Sequence, residues 1–203
     1  MNGAGMVALL DEALARLAES RDELRDLDAA LGDGDLGVTV SKGCEAVRAR
    51  LADLTEPSPA DVLRTAGTAF ASANPSTMAA LVGGALLVGA KTVAEATDLG
   101  PGETVAFVRA AAASIATRGK AQLGDKTILD AILPSLDALN ATTDGDRLEA
   151  MVTAARRAVD ETTPLQSRRG RAAWIGERSA GHPDPGATAY LRLLEALHAS
   201  WPT

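Results

Sequence analysis

Three carboxylates, Asp28, Asp33 and Asp35, fall within the stretch LDAALGDGDLGVTVSKG at residues 27 to 43. No basic side chain lies between them. Like charges this close repel, and a folded chain tolerates them best around a cation. Hard oxygen donors, with no Cys or His among them, favour Mg²⁺ or Ca²⁺ over zinc. Gly32, Gly34, Gly37 and Gly43 are interspersed with the acids or follow them. They leave the backbone free to bend so that the carboxylates can converge. Gly37 is expected to open a helix whose first turn holds Val38, Thr39 and Ser41. Free amides at a helix start bind phosphate. Spacing alone supports two readings equally: a metal site leading into a phosphate-ready helix start, and a solvated acidic turn.

The chain that must position these groups has 203 residues, of which 46% are apolar and 2% aromatic. One domain is expected, spanning 1–203, with a core of Ala, Leu, Val and Ile. The net charge of -7 argues against nucleic acid as a partner. A lone cysteine, Cys44, excludes an intramolecular disulfide and fits a reducing cytoplasm. It lies on the apolar face of an expected helix and reads as core. The first turn lacks a basic segment and residues 11 to 26 are charge-rich, so no signal peptide is expected. The longest apolar run, about residues 78 to 90, is too short and glycine-rich to span a membrane.

Apolar periodicity then lays out helices. Leu10, Leu14, Leu17, Leu24 and Leu27 predict one long amphipathic helix ending near the acids. Val40, Cys44, Val47 and Leu51 mark a second. Ser58 as N-cap and Pro59 at the first helical position open a third, which Asn74-Pro75 breaks. Ser76 or Thr77 caps a fourth, running to about Ala96 and rich enough in Ala and Gly to be buried on most sides. A fifth runs from about Glu103 to Gln122 after the Gly100-Pro101-Gly102 turn. Gly124-Asp125-Lys126-Thr127 starts a sixth, which Pro134 should kink. A loop from Asn140 to Gly145 precedes a seventh helix with Leu148, Met151, Val152, Ala155 and Val159. Residues 163 to 183 lack a clean period and hold Arg168, Arg169, Arg171 and Arg178, so they read as a functional loop. Asp184-Pro185-Gly186 begins the last helix, with Leu191, Leu194, Leu197 and Trp201 on its buried face. The expected fold is all-α: an up-and-down antiparallel barrel or bundle of about eight helices. Links after odd-numbered helices share one end, which brings the acids beside Ser76, Thr77, the 124–127 link and the arginine loop.

Three separated motifs carry a resemblance: LDAALGDGDLG at 27 to 37, LGDKTILDAILP at 123 to 134, and RGRAAWIGERSAGHPDPGAT at 169 to 188. Together, in order and spacing, the chain resembles the DhaL family. This is the nucleotide-binding L subunit of dihydroxyacetone kinase and the equivalent C-terminal domain of single-chain kinases. The resemblance covers essentially the whole chain. It implies an eight-helix barrel holding Mg-ADP or Mg-ATP at one end. It implies Asp28, Asp33 and Asp35 as ligands of Mg²⁺, with two ions bridging the phosphates. It places Leu36, Gly37, Val38, Thr39, Ser76 and Thr77 around the phosphates, and Gly119 and Ile128 beside the adenine. Arg171, Asp184, Pro185 and Gly186 complete the nucleotide contacts, with Arg171 as the catalytic charge stabiliser.

The chain departs from the family pattern twice. Leu36 stands where the family's GDGDHG has His, and Asn74-Pro75-Ser76-Thr77-Met78 replaces the usual GGTSG. Leucine offers no hydrogen bond to a phosphate, which should weaken nucleotide binding and favour ATP exchanged each turnover over ADP retained as a cofactor. The implied function is a glycerone kinase-type phosphotransferase, active only with a partner. A separate K-type subunit would hold the hydroxy-ketone, a triose or tetrose. The other donor route is a phosphotransferase-system M subunit that rephosphorylates bound ADP. The resemblance leaves room for a homodimer. A rival reading is a regulator that senses nucleotide state and binds a transcription factor; a third is a purely structural bundle.

Other side chains carry weaker readings. Lys126 is either a phosphate clamp or an exposed helix-start lysine. Asp125 is either a helix cap or a nucleotide contact. Arg178 is more readily a scaffold ion pair than catalytic, and His182 a structural hydrogen bond. His198 reads as structural and Trp174 as a packing anchor. No Ser-His-Asp or Cys-His arrangement stands out, so covalent catalysis is unsupported.

Overall fold

The computed structural model describes residues 1–143 and 146–202. Among these, α1 spans Gly3–Glu19, α2 Arg21–Leu31, α3 Leu36–Leu51, α4 Pro59–Ala73 and α5 Thr77–Ala90. They are followed by α6 Pro101–Gly119, α7 Ile128–Ala141, α8 Arg147–Thr162 and α9 Pro185–Ala199. Two 3-10 segments, Lys91–Val93 and Arg171–Ser179, complete the described elements. Each helix packs on the next from α3 to α9, and α9 returns to α1, which meets α3. The all-α, up-and-down antiparallel ring is therefore closed. No helix among the described residues is long and apolar enough to cross a membrane.

Local chemistry accounts for the boundaries. Ser58 accepts from the Asp61 amide while Asp61 accepts from the Ser58 amide, a reciprocal cap with Pro59 just inside. Such a cap is worth about 1 kcal/mol. Thr127 with Asp130 starts α7 in the same way, and Asp184 caps α9 ahead of Pro185. The long first helix expected from the leucine stripe is instead two. Ser20 ends α1, its amide bonded to the Leu17 carbonyl, and its own carbonyl then accepts from Leu24 at the start of α2. The stripe stays in phase across the break, which is why periodicity missed it. The fourth expected helix ends at Ala90 and tightens into the 3-10 turn rather than running to Ala96. Pro134 lies inside α7, which continues unbroken past it. The loop expected from Asn140 begins at Thr142, and Asp144 and Gly145 lie outside the described residues.

The core follows the composition. Leu24, Leu31, Leu51, Leu129 and Val62 are fully buried, each contributing about 1.5 to 3 kcal/mol by burial. Helices α4 and α5 touch backbone to backbone. A Cβ on Gly83 would lie 2.5 Å from the Gly67 carbonyl oxygen, closer than any side chain allows. Cys44 is completely buried, and that burial pushes its thiol up to about 12. Trp201 does not join the buried face of α9. It lies past the helix end and is 51% exposed, because the chain turns off at Ser200.

Candidate functional site

The end of α2 and the start of α3 gather the acids. The Gly32 amide closes on the Asp28 carbonyl at 2.6 Å, ending α2. Gly34 then takes a left-handed φ of 74°, which only glycine adopts freely, and this turns the chain back. The Leu36 amide donates to Asp28 Oδ2 at 3.2 Å. Asp35 precedes α3, but its side chain makes no capping bond. Its carboxylate is left facing the other two. Oxygens of Asp28, Asp33 and Asp35 lie within 4.8 Å of one another. Burial, and then the charge of Asp28, raise the Asp35 carboxyl above the usual carboxylate range. Three anionic oxygens, with Asp28 and Asp35 partly buried and Asp33 exposed, fit a hard divalent cation that keeps some positions for water or phosphate.

The counter-charge that the local sequence lacks comes from far along the chain. Arg171 pairs with Asp33, and its second nitrogen lies 3.4 Å from Asp35 Oδ2. All three side chains are 42–53% exposed, so the pairing adds at most about 1 kcal/mol.

A cleft of about 670 Å³ opens beside the acids. Asp28, Asp35 and Leu36 form one wall, and Ser76 with Thr77, Met78, Leu81 and Val82 of α5 another. Ile115, Arg118 and Gly119 from the end of α6 face Ile128 at the start of α7. Arg171, Trp174, Asp184, Pro185 and Gly186 close it. The shared-end topology expected from helix parity is thus what the fold delivers. Ser76 Oγ is occupied as the cap of α5, accepting from Ala79 at 3.5 Å. Asp184 is buried and accepts from the Ala187 amide at 2.7 Å. Burial pushes its carboxyl up to about 7; nearby Asp130 adds to this and Lys126 opposes it.

Three of the expected phosphate residues are not brought to the cleft. Gly37 is pressed against α2, where a Cβ would lie 2.1 Å from the Arg21 carbonyl oxygen. Its glycine serves helix contact. Val38 does not line the cleft, and Thr39 is 1% exposed, its hydroxyl accepting from Asn74 Nδ2 at 2.9 Å. Sequence reading in turn missed the apolar wall of Met78, Leu81, Val82 and Ile115, whose helical spacing is that of any core residue. It also missed Arg118, for which the sequence offered no signal.

Several weaker readings are corrected. Lys126 is neither exposed nor a phosphate clamp. It is 1% exposed, and its ammonium donates to the carbonyls of Thr163, Leu165 and Ser179 at 2.9, 2.8 and 2.7 Å. Asp125 does not cap α7, since Thr127 does; it accepts from the Gln122 amide and from Arg169 Nε. Trp174 is not a packing anchor: it is 85% exposed at the cleft, on the 3-10 segment Arg171–Ser179. Arg178 and His182 are exposed, and among the described residues neither side chain makes an ion pair or hydrogen bond. His198 is structural, its Nε2 lying 2.9 Å from Asp146 Oδ2.

The fold and the cleft define a class: a closed all-α ring with its acids, hydroxyls and helix starts gathered at one end. Residues 30–199 match the family model described as the DAK2 domain, and the chain belongs to that family, the DhaL type. It is 33% identical to the PEP-dependent dihydroxyacetone kinase 2, ADP-binding subunit DhaL, of Listeria innocua, over 97% of this chain and 94% of that one. It is 34% identical to the L-erythrulose 1-kinase of Mycolicibacterium smegmatis over 95% of this chain, but spans only 34% of that protein. The native dihydroxyacetone kinase of C. freundii superposes with a TM-score of 0.78 at 25% identity, covering 96% of this chain and 34% of that one. The same kinase in complex with AMP-PNP and Mg²⁺ gives 0.77 at 22% identity, covering 96% of this chain and 33% of that one.

Proposed function

We propose that the chain is the nucleotide-binding L subunit of a dihydroxyacetone-type kinase, one domain over 1–203. It would transfer phosphoryl from a magnesium nucleotide to a triose or tetrose hydroxy-ketone held by a separate K-type subunit. The observation that carries this reading is the acid triad converging within 4.8 Å at the rim of a cleft with an apolar far wall. Asp28, Asp33 and Asp35 would hold Mg²⁺, which when bound neutralises phosphate charge. Ser76, Thr77 and Met78 at the start of α5 line the cleft, and the free amides there would receive a phosphate chain. Ile115, Gly119 and Ile128 line an apolar part of the cleft that would take a base. Arg171, beside the acids, would stabilise charge developing on the transferred group. The ketone hydroxyl would attack the terminal phosphate of the nucleotide directly, with the nucleoside diphosphate as leaving group.

The reading extends to the donor. Relatives of the PEP-dependent type and of the erythrulose kinase type are about equally similar, so identity does not separate the routes. Leu36 offers no side-chain donor, and Thr39 is buried with its hydroxyl oxygen accepting from Asn74. Weakened binding suits ATP exchanged at each turnover. Mixing the pure chain with Mg-ATP and a ketone-loaded K-type subunit should give phosphorylated ketone, and the chain alone should give none. Absence of product with every K-type partner tried, together with no Mg-ADP thermal shift, would sink the reading. Stoichiometric ADP released on denaturing extensively dialysed protein would instead restore the phosphotransferase-system route.

A further inference from the structure

The link between α6 and α7 does more than connect them. Asp125 and Lys126 are both buried, at 2% and 1% exposure, and neither caps a helix. Lys126 has a φ of 60°, a conformation that L side chains rarely adopt. What holds it there is its side chain. The ammonium donates to the carbonyls of Thr163, Leu165 and Ser179. Three donors meet three acceptors, which requires the protonated form, since a neutral amine has only two. These acceptors are the two sides of the neck of the arginine loop. Asp125 grips the same loop further in: its carbonyl accepts from the Arg168 amide at 3.0 Å and its carboxylate from Arg169 Nε at 3.0 Å. The neck is closed by the Gly181 amide on the Thr163 carbonyl and the Ser167 amide on Ser179 Oγ. Between these fixed points hangs the segment bearing Arg171, bent at Gly176.

We propose that Asp125 and Lys126 are positioning residues that bracket the 163–181 loop and thereby hold Arg171 beside the acid triad. This rests on the function proposed above, in which Arg171 meets the nucleotide. The bracket also explains a coupling in the chain: Thr127 and Ile128, which line the cleft, follow Lys126 directly. Wall and brace are set by one short link.

The test uses the full chain with Lys126→Met and Asp125→Ala. Each is digested with trypsin well below its own unfolding midpoint. Cleavage within 168–178 should accelerate by about tenfold or more, with sites elsewhere unchanged, because proteolysis follows local opening. Mn²⁺ alone, which reports on the triad, should bind no more weakly than to the wild type, since a displaced Arg171 no longer competes for Asp33 and Asp35. Mg-ADP should bind about tenfold or more weakly, as a displaced contact implies. Cleavage accelerated evenly along the chain would overturn the proposal by making the pair mere stability elements. So would a loop as resistant as the wild type's. If neither variant folds, the wild type decides: a ¹⁵N-lysine spectrum should show one slowly exchanging ammonium at neutral pH, and its absence would overturn the bracket. Wild-type protein that binds no Mg-ADP would defeat the functional reading, while the digestion and the lysine signal would still judge the bracket.

Discussion

The acid loop and the arginine loop meet at one cleft but are held by opposite means. The acid loop is fixed by its own neighbours. Asp28 is bonded to Gly32 and Leu36, and the Asp35 carbonyl to Thr39, all within eight residues. The arginine loop closes its own neck between Thr163 and Gly181 and between Ser167 and Ser179, but is tied to the rest of the fold by residues far off in sequence. Lys126 reaches carbonyls 37 to 53 residues away, and Asp125 pairs with Arg169 across 44. Chemistry built from short-range contacts survives as a readable pattern. Chemistry built from long-range contacts looks like an irregular stretch until the chain is folded.

The contrast can be broken most severely at Asp33. Asp33→Asn should weaken Mg-ADP binding by about a hundredfold or more, since one of the three charges proposed to hold the metal is gone. Without nucleotide its stability should stay within about 1 kcal/mol of the wild type, because the exposed pair with Arg171 contributes little. Calorimetric titration and urea unfolding give both numbers; unaltered binding would remove Asp33 from the site. A smaller effect is expected from Gly37→Ala. The new methyl would meet the Arg21 carbonyl and the Arg25 amide, both backbone, so α2 must shift. A loss of about 1 to 3 kcal/mol should appear in urea unfolding. A loss below about 0.5 kcal/mol would show that Gly37 is not there for helix contact.

The arginine loop is sharpened at its far end by Asp184. Its carboxyl titrates at about 7 in the folded chain, above the 3.8 of a free aspartate. Between those values the native state holds a proton that the unfolded state has released. That stabilising contribution is complete at low pH and is lost as pH rises from about 4 through about 7. Asp184→Asn keeps an acceptor for the Ala187 amide but cannot titrate. Its unfolding free energy should vary less across that window and exceed the wild type's at pH 8 by at least about 1 kcal/mol. Parallel pH profiles for the two proteins would refute the assignment. The smallest effect belongs to Trp174→Ala. At 85% exposure the ring supports nothing, and the melting temperature should not move measurably. A clear drop would mean that Trp174 packs after all.

What the sequence made legible follows the same division. Ser58-Pro59 and Asp184-Pro185 announced helix starts because capping is settled within four residues. The acids were legible for the same reason. Ser20 was not, because the leucines on either side keep a single phase and nothing local demands a break. Lys126 was misread in both of its readings, since a lysine before a helix is ordinarily solvated and the carbonyls that bury it belong to other segments. Gly37 looked like a phosphate-binding glycine, yet its partner is the backbone of α2. Trp174 reads as a packing anchor because aromatic rings usually pack, yet the fold leaves it in water at the rim of the cleft.

The sealed thiol of Cys44 has a practical consequence. With its ionisation pushed up to about 12 and no exposed surface, it presents almost no thiolate at neutral pH to an alkylating probe or an oxidant. It is the chain's only cysteine. A second thiol placed by Trp174→Cys would therefore be the single reactive one, on the rim of the cleft. A maleimide dye or spin label would attach there alone, with Cys44 left in place. Distances from that label to a paramagnetic Mn²⁺ in the acid triad would then be readable in the unmodified background.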